Sequence, residues 1–237
     1  MSADESQPVS ASGFDYTVRR SPRRRTLSVS IEKGNVIVRA PVRASFGRID
    51  KFVQSVGPWI LKKLGESRKR LLEVPRNTYT EGELLPYIGY RYALRFGTAK
   101  KADLNITDNE LIVNIPPNTP AEKIPEIIRK WYIARARETF GMRVAYYSQE
   151  LGLEPPKISV RNQKQRWGSC SSDTQINLNW KLMTAPVGIL DYVVAHELCH
   201  IIQRDHSRKF WNLLSTVIPE YRDCRKWLRE NGHTLGL

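Results

Sequence analysis

His196-Glu197-Leu198-Cys199-His200-Ile201-Ile202-Gln203-Arg204-Asp205-His206 is the stretch from which the rest of the chain can be read. On an α-helix, residues four apart lie about 40° apart around the axis, so His196 and His200 project from one face. Two neutral imidazole nitrogens placed this way can close on one tetrahedral zinc at about 2 Å. Glu197, about 100° further round, can reach a water at the metal without displacing it. His206 offers a third nitrogen after five intervening residues. Three protein ligands with a fourth position open describe a catalytic zinc site, not a structural one.

The surroundings strengthen this reading. Leu190-Asp191-Tyr192-Val193-Val194-Ala195 lacks Pro and Gly and runs in helical rhythm into His196. The bland alternative is a buried helix whose histidines are hydrogen-bonded core residues. Of only four histidines in the chain, three fall within these eleven residues, which favours metal binding. Cys199 lies inside the motif but points away from the shared histidine face, and reads as a small core residue.

With 237 residues, 41% of them hydrophobic, the chain can bury a core in one or two domains. No apolar run approaches the 18 or so residues needed to span a bilayer. The polar, acidic start, Met1-Ser2-Ala3-Asp4-Glu5-Ser6-Gln7-Pro8, reads as a loose tail and not a secretory signal. Cys170, Cys199 and Cys224 make an odd set without close pairing, as expected of reduced thiols in a cytoplasmic protein. Lys and Arg total 38 against 24 acidic residues, a net charge of +14. Such a balance favours anionic partners: nucleic acid, nucleotides or acidic peptides. The basic residues cluster at Arg19, Arg20, Arg23, Arg24 and Arg25, and again at Lys62, Lys63, Arg68, Lys69 and Arg70. Charge runs are usually solvated faces, and no motif that reads RNA or DNA accompanies them.

Outward from the motif, residues 26–31 and 35–40 alternate as a hairpin joined at Lys33-Gly34. A helix is predicted over 45–72, with Ile49, Phe52, Val53, Trp59, Ile60 and Leu64 at helical intervals and a kink or break at Gly57-Pro58. Strands follow over 87–96, 103–107 and 110–115. Val36-Ile37-Val38-Arg39-Ala40-Pro41 before a Trp59 helix echoes Leu111-Ile112-Val113-Asn114-Ile115-Pro116 before a Trp131 helix, as either a duplicated strand-strand-helix unit or two similar solutions to one packing problem would. A long helix over 120–152 is stopped at Leu151-Gly152-Leu153-Glu154-Pro155-Pro156. A strand at 158–161, a turn at 166–171 and a half-buried strand at 174–180 precede the metal helix over 186–203. Helices near 207–217 and 219–231 complete the chain. The expected organisation is a flexible tail over 1–12, a strand-rich region over 13–118 and a metal-binding catalytic domain over 119–237. One continuous domain over 13–237 is the alternative.

Arg166-Trp167-Gly168-Ser169-Cys170, the strand Ile176-Asn177-Leu178-Asn179-Trp180, the segment Asp191 to His200 and His206-Ser207-Arg208-Lys209-Phe210-Trp211 together resemble the YgjP-like metallopeptidase family. That group is similar to the SprT and WLM zinc-peptidase domains. The resemblance covers the chain after the tail and is strongest over 163–211. It implies one Zn2+ per chain on His196, His200 and His206, with Glu197 as catalytic acid and base. It also implies a mixed α+β fold: a strand-rich N-terminal region with helices, then a zincin-like domain whose active-site helix lies under a small sheet.

The expected chemistry is metal-assisted hydrolysis of a peptide bond, in which Glu197 takes a proton from water and passes it to the leaving amine. A peptide could pair along the edge of the 174–180 strand, where Asn177 and Asn179 are candidate contacts. Arg166 and Tyr192 are candidate stabilisers of the oxyanion. Asp191, Asp205 and Glu220 are candidates to orient the histidines. Metzincin-type peptidases place a glycine before the third histidine. Here Gln203-Arg204-Asp205 occupies the bend, and Asp205 tolerates a left-handed backbone best of the three. Ser207 is a candidate N-cap, and Phe210 and Trp211 are expected to pack in the core and hold His206. Two other function classes fit the composition: a metal-dependent hydrolase of nucleotides or other phosphoanhydrides, and a basic nucleic-acid-binding module with a structural zinc. Histidine ligation also suits iron, cobalt or nickel.

Overall fold

The computed structural model describes residues 8–11, 13–32, 34–164 and 166–237. Most of the expected tail, together with Lys33 of the expected hairpin turn, lies outside the described residues. Contacts divide the chain into two compact units, Met1–Val74 and Pro75–Leu237.

In the first unit, strands β1 (Pro8–Ala11), β2 (Phe14–Ser21), β3 (Ser28–Glu32) and β4 (Asn35–Pro41) form a sheet in the order β1-β2-β4-β3. Strands β2 and β4 run parallel, and the other pairs are antiparallel. Alternation puts Phe14, Tyr16 and Val18 of β2 with Val36, Val38 and Ala40 of β4 on one buried face. Helices α1 (Phe46–Ser55) and α2 (Gly57–Glu73) cover it with Ile49, Val53 and Ile60. Of the kink or break expected at Gly57-Pro58, the structure shows a break, because proline is accepted at a helix start and not in its interior. Part of the basic run is structural. Arg20 Nη1 donates to the carbonyls of Val42 (2.9 Å) and Ala44 (2.6 Å), and its guanidinium lies over the Phe46 ring at 5.2 Å. Arg24 donates to Ser28 Oγ, and Arg19 lies 3.8 Å from Glu32. Those arginines close the strand–helix connection and brace the sheet.

The second unit repeats the same strand plan. Strands β5 (Leu84–Tyr87), β6 (Tyr90–Thr98), β7 (Asp103–Thr107) and β8 (Glu110–Ile115) pair in the order β5-β6-β8-β7, again with the central pair parallel. Val36 and Leu111 are each the second residue of the equivalent strand, so the echo in the sequence corresponds to one topology used twice. The expected strand over 87–96 begins with a hairpin instead. Ile88 (φ 46°) and Gly89 (φ 85°) both take left-handed backbone between β5 and β6, the conformation a tight two-residue turn requires. A β-branched residue there gives little sequence warning.

The boundary expected at 118 falls inside this unit. Leu85, Leu94, Leu111 and Val113 are buried in the same core as the helices that carry the histidines. Composition marks linkers, but it does not tell which core a strand's apolar face joins. Helix α3 (Ile124–Glu150) contributes Ile128, Tyr132, Ala136, Phe140 and Val144, a stripe at four-residue intervals. Helix α4 (Val187–Ile202) is mostly apolar and buried along most of its length. A fork of two hydrogen bonds, Arg143 Nε and Nη2 to the two Asp191 carboxylate oxygens at 2.5 Å each, ties α3 to α4. Asp191 is 7% exposed. Removing it leaves the Arg143 charge facing a partly desolvated site. Asp191→Ala is therefore expected to cost about 2–3 kcal/mol in chemical denaturation. A loss under about 0.5 kcal/mol, the scale of ordinary surface changes, would show that the pair does not stabilise the helix packing.

A three-stranded sheet completes this unit in the order β10-β11-β9: β9 (Ile158–Arg161), β10 (Gly168–Cys170) and β11 (Ile176–Asn179). The turn expected over 166–171 thus contains strand β10, and the predicted strand over 174–180 narrows to β11. Helices α5 (Arg208–Val217) and α6 (Tyr221–Asn231) follow α4. Among the described residues, no helix is long and apolar enough to cross a membrane.

Candidate metal centre

Helix α4 carries His196 and His200 one turn apart, and their ring centroids are 4.8 Å from each other. The helix stops at Gln203, whose extended backbone (φ −130°, ψ 106°) sends the chain out of helical register. No non-glycine residue between 203 and 206 has a positive φ, so the bend does not use a left-handed Asp205. Asp205 makes the bend through its side chain, accepting from the Gln203 amide (2.7 Å) and the Ser207 backbone N–H (3.1 Å). The expected cap by the Ser207 hydroxyl is absent. No backbone N–H of the α5 start reaches the Ser207 hydroxyl; the Ser207 N–H itself is taken by Asp205.

The turn brings His206 back over α4. Its Nε2 lies 3.0 Å from His196 Nε2, close to the ~3.3 Å between two nitrogens on one tetrahedral zinc. One nitrogen from each of the three histidines falls within 4.8 Å of the others. Phe210, fully buried on α5, has its ring centroid 4.6–4.9 Å from all three imidazoles. Trp211 Nε1 donates to the His206 carbonyl at 3.0 Å, and its ring packs on the His206 ring at 5.4 Å. The two aromatic residues thus hold the third histidine as the sequence leads one to expect.

The donor set suits a divalent metal. Burial, then the neighbouring His200 and His206, pushes the His196 pKa down to about 3, and burial lowers that of His200. Both favour the neutral imidazole, the form that has a lone pair to give. His200 Nδ1 lies 3.2 Å from the Gln203 carbonyl, an arrangement in which Nδ1–H donates and Nε2 is left for a ligand. None of the three carboxylates considered as orienting groups does that work. Asp191 is bound to Arg143, Asp205 holds the bend, and Glu220 sits at the N-terminal cap of α6. A backbone carbonyl takes their place at His200.

Glu197 is 7% exposed and faces the other wall of the site, strand β10. Burial pushes its pKa up to about 7, opposed by the backbone N–H of Cys170 and the positive charge of Arg166. A cleft of about 400 Å³ opens here, lined by Arg166, β10, Ser171, Arg204, Glu197 and the three histidines. Gly168 sits so close that a Cβ on it would lie 2.6 Å from Glu197 Cγ and 2.7 Å from Oε1. Sequence reading passed over this residue, although a glycine inside a strand is a recognised sign of close approach.

Arg166 is the one of the two oxyanion candidates that lines the cleft. Tyr192 is buried and packs on His196 with ring centroids 5.7 Å apart, and burial raises its hydroxyl pKa to about 12. Asn177 and Asn179 are also outside the cleft lining. Strand β11 is the middle strand of its sheet, so both its edges are already paired. Asn177 bonds to Arg161 and Ser169, while the buried Asn179 donates to the carbonyls of Gln163 and Arg166 and so fixes the loop that presents Arg166. The free edge beside the site belongs to β10. Cys199 is fully buried in the core, and all three cysteines are unpaired.

Residues 25–231 match the model of the YgjP-like, metallopeptidase domain family. No curated protein matches the chain. Among solved structures, the chain is similar to the metallopeptidase zymogen abylysin of Pyrococcus abyssi, with a TM-score of 0.37 and 20% identity over 41% of this chain and 99% of that one. It is also similar to the metallopeptidase zymogen jannalysin of Methanocaldococcus jannaschii, with a TM-score of 0.35 and 23% identity over 38% of this chain and 88% of that one.

Proposed function

This chain belongs to the YgjP-like metallopeptidase family, and from that premise we propose that it is a zinc peptidase with His196, His200 and His206 as ligands and Glu197 as general base. The observation that carries the assignment is the convergence of three imidazoles and one buried carboxylate on a single open cleft. When bound, zinc supplies Lewis acidity, lowering the pKa of water and polarising a carbonyl. Its identity over other divalent metals rests on the all-nitrogen, three-histidine donor set.

The residues divide the remaining work. Glu197, desolvated and held by the Cys170 N–H, takes a proton from the attacking water and returns it to the leaving amine. Arg166 is the group placed to favour negative charge on the carbonyl oxygen. In the antiparallel pairing of β10 with β11, Asn179 N–H donates to Trp167 O and Ser171 N–H to Gln175 O. By alternation, the N–H and C=O of Gly168 and the C=O of Cys170 point to the free edge, where the Cys170 N–H is already taken by Glu197. A peptide in extended form can pair there, beside Glu197, which replaces β11 as the expected docking strand. The unpaired thiols support a cytoplasmic location.

Plasma mass spectrometry on wild type and His206→Ala, paired with peptide cleavage, tests the centre. Wild type should hold about one zinc per chain, and His206→Ala should lose most of it together with activity. Wild type that stays metal-free after zinc is supplied would overturn the assignment.

A further inference from the structure

The wall of the cleft carries two guanidinium groups, and their positions relative to β10 differ. Arg166 stands two residues before the strand. Arg204, just past the end of α4, donates from Nη2 to the carbonyl of Ser172 at 2.9 Å, two residues after the strand. The free edge of β10 therefore runs between a cation at either end. Neither arginine takes part in an ion pair among the described residues. The bond to Ser172 uses one of Arg204's five donors and fixes the head group, leaving the rest of the fork free.

What else lines the cleft matters equally. Among the described residues Glu197 is its only carboxylate, and Gly168, Ser169, Cys170 and Ser171 supply no large apolar side chain. Asp173, which accepts from the Ser171 hydroxyl, and Asp205, which accepts from Gln203 and Ser207, lie outside the lining. A substrate side chain lying along β10 meets little to bury an apolar group against, and fixed donors suited to a carboxylate. Resting on the peptidase reading above, we propose that this cleft selects peptides with an Asp or Glu side chain beside the scissile bond, with Arg204 recognising the carboxylate and Arg166 adding to the field from the other end. The surplus of basic residues over the whole chain draws such peptides in, and Arg204 gives the attraction a position.

The test uses three peptides identical except for Glu, Gln or Lys at the positions flanking the scissile bond. Their binding to zinc-loaded Glu197→Gln protein is followed by fluorescence anisotropy at about 0.15 M salt, where long-range attraction is screened. In parallel, their cleavage by the wild type is measured. The Glu peptide should bind on the order of 10-fold more tightly than the Gln peptide, and the Lys peptide most weakly. Adding Arg204→Glu should abolish or invert that order, and the milder Arg204→Gln should flatten it. Lys101→Glu makes the same change of charge outside the cleft and should leave the order intact. Equal binding of the three peptides, or equal effects of Arg204→Glu and Lys101→Glu, overturns the proposal. If the preference holds and wild type cuts none of the peptides, the acidic subsite stands and the peptidase assignment falls. If cleavage is good but indifferent to the flanking charge, the reverse follows.

Discussion

Glu197→Gln should lower kcat for peptide cleavage on the order of 10³-fold while leaving one zinc-binding site intact. The substitution keeps the size and shape of the side chain and removes its ability to accept a proton at neutral pH. The surroundings explain why the loss should be large. Among the described residues Glu197 is the one carboxylate lining the cleft, so no other there can take over the proton. It is also held in place, with the Cys170 N–H on one side and no room for a Cβ at Gly168 beside its stem. Preserved zinc content with abolished turnover is the expected pair of results, read by mass spectrometry and steady-state kinetics on one preparation. Turnover within about 10-fold of wild type would remove Glu197 from the proton transfer, since positioned acid–base groups contribute at least 10²-fold.

The second large effect falls on a residue with no chemistry of its own. Gly168→Ala should reduce kcat on the order of 10²-fold with zinc retained, because displacing a catalytic group by about 1 Å can cost that much. The new methyl would lie 2.6 Å from Glu197 Cγ and 2.7 Å from Oε1, distances at which something must move. Gly168 is pinned in a strand paired with Leu178, and Leu178 is fully buried. The strand therefore resists, and the glutamate head group is the part that yields, leaving the Cys170 N–H. Gly168→Ser should be at least as damaging, having the same Cβ and one atom more. An alanine variant with unchanged kcat would show that β10 gives way instead, and that Glu197 does not depend on it for its position.

What local sequence encodes and what the fold adds divide by the range of the interactions. The histidine pair was legible in the sequence because helical geometry fixes four-residue spacing locally, whatever the rest of the chain does. The Phe210–Trp211 support for His206 was legible for a similar reason, lying within one turn of the residue it holds. The bend at 203–205 was only half legible. Its location was clear, but Asp205 makes it with side-chain hydrogen bonds and ordinary backbone, and composition does not separate those two ways of turning. Asn177 and Asn179 shared an alternating pattern that marks a strand but does not say whether that strand is central or at an edge. Their sheet places β11 in the middle, which makes the two asparagines braces of the loop and of β10.

By itself, the sequence determined the metal helix, its three candidate nitrogens and the adjacent carboxylate, because periodicity and local spacing carry these, while the mixed α+β class came with the family resemblance. Tertiary structure alone decided that the strands over 84–115 share a core with the metal helix, that β10 is the open edge, that Gly168 abuts Glu197 and that Arg204 reaches Ser172. Apart from the short-range pairing of the β9–β11 sheet, these contacts join residues about 30 or more positions apart. They depend on which apolar faces meet when the chain collapses, and local spacing along the chain does not encode that choice.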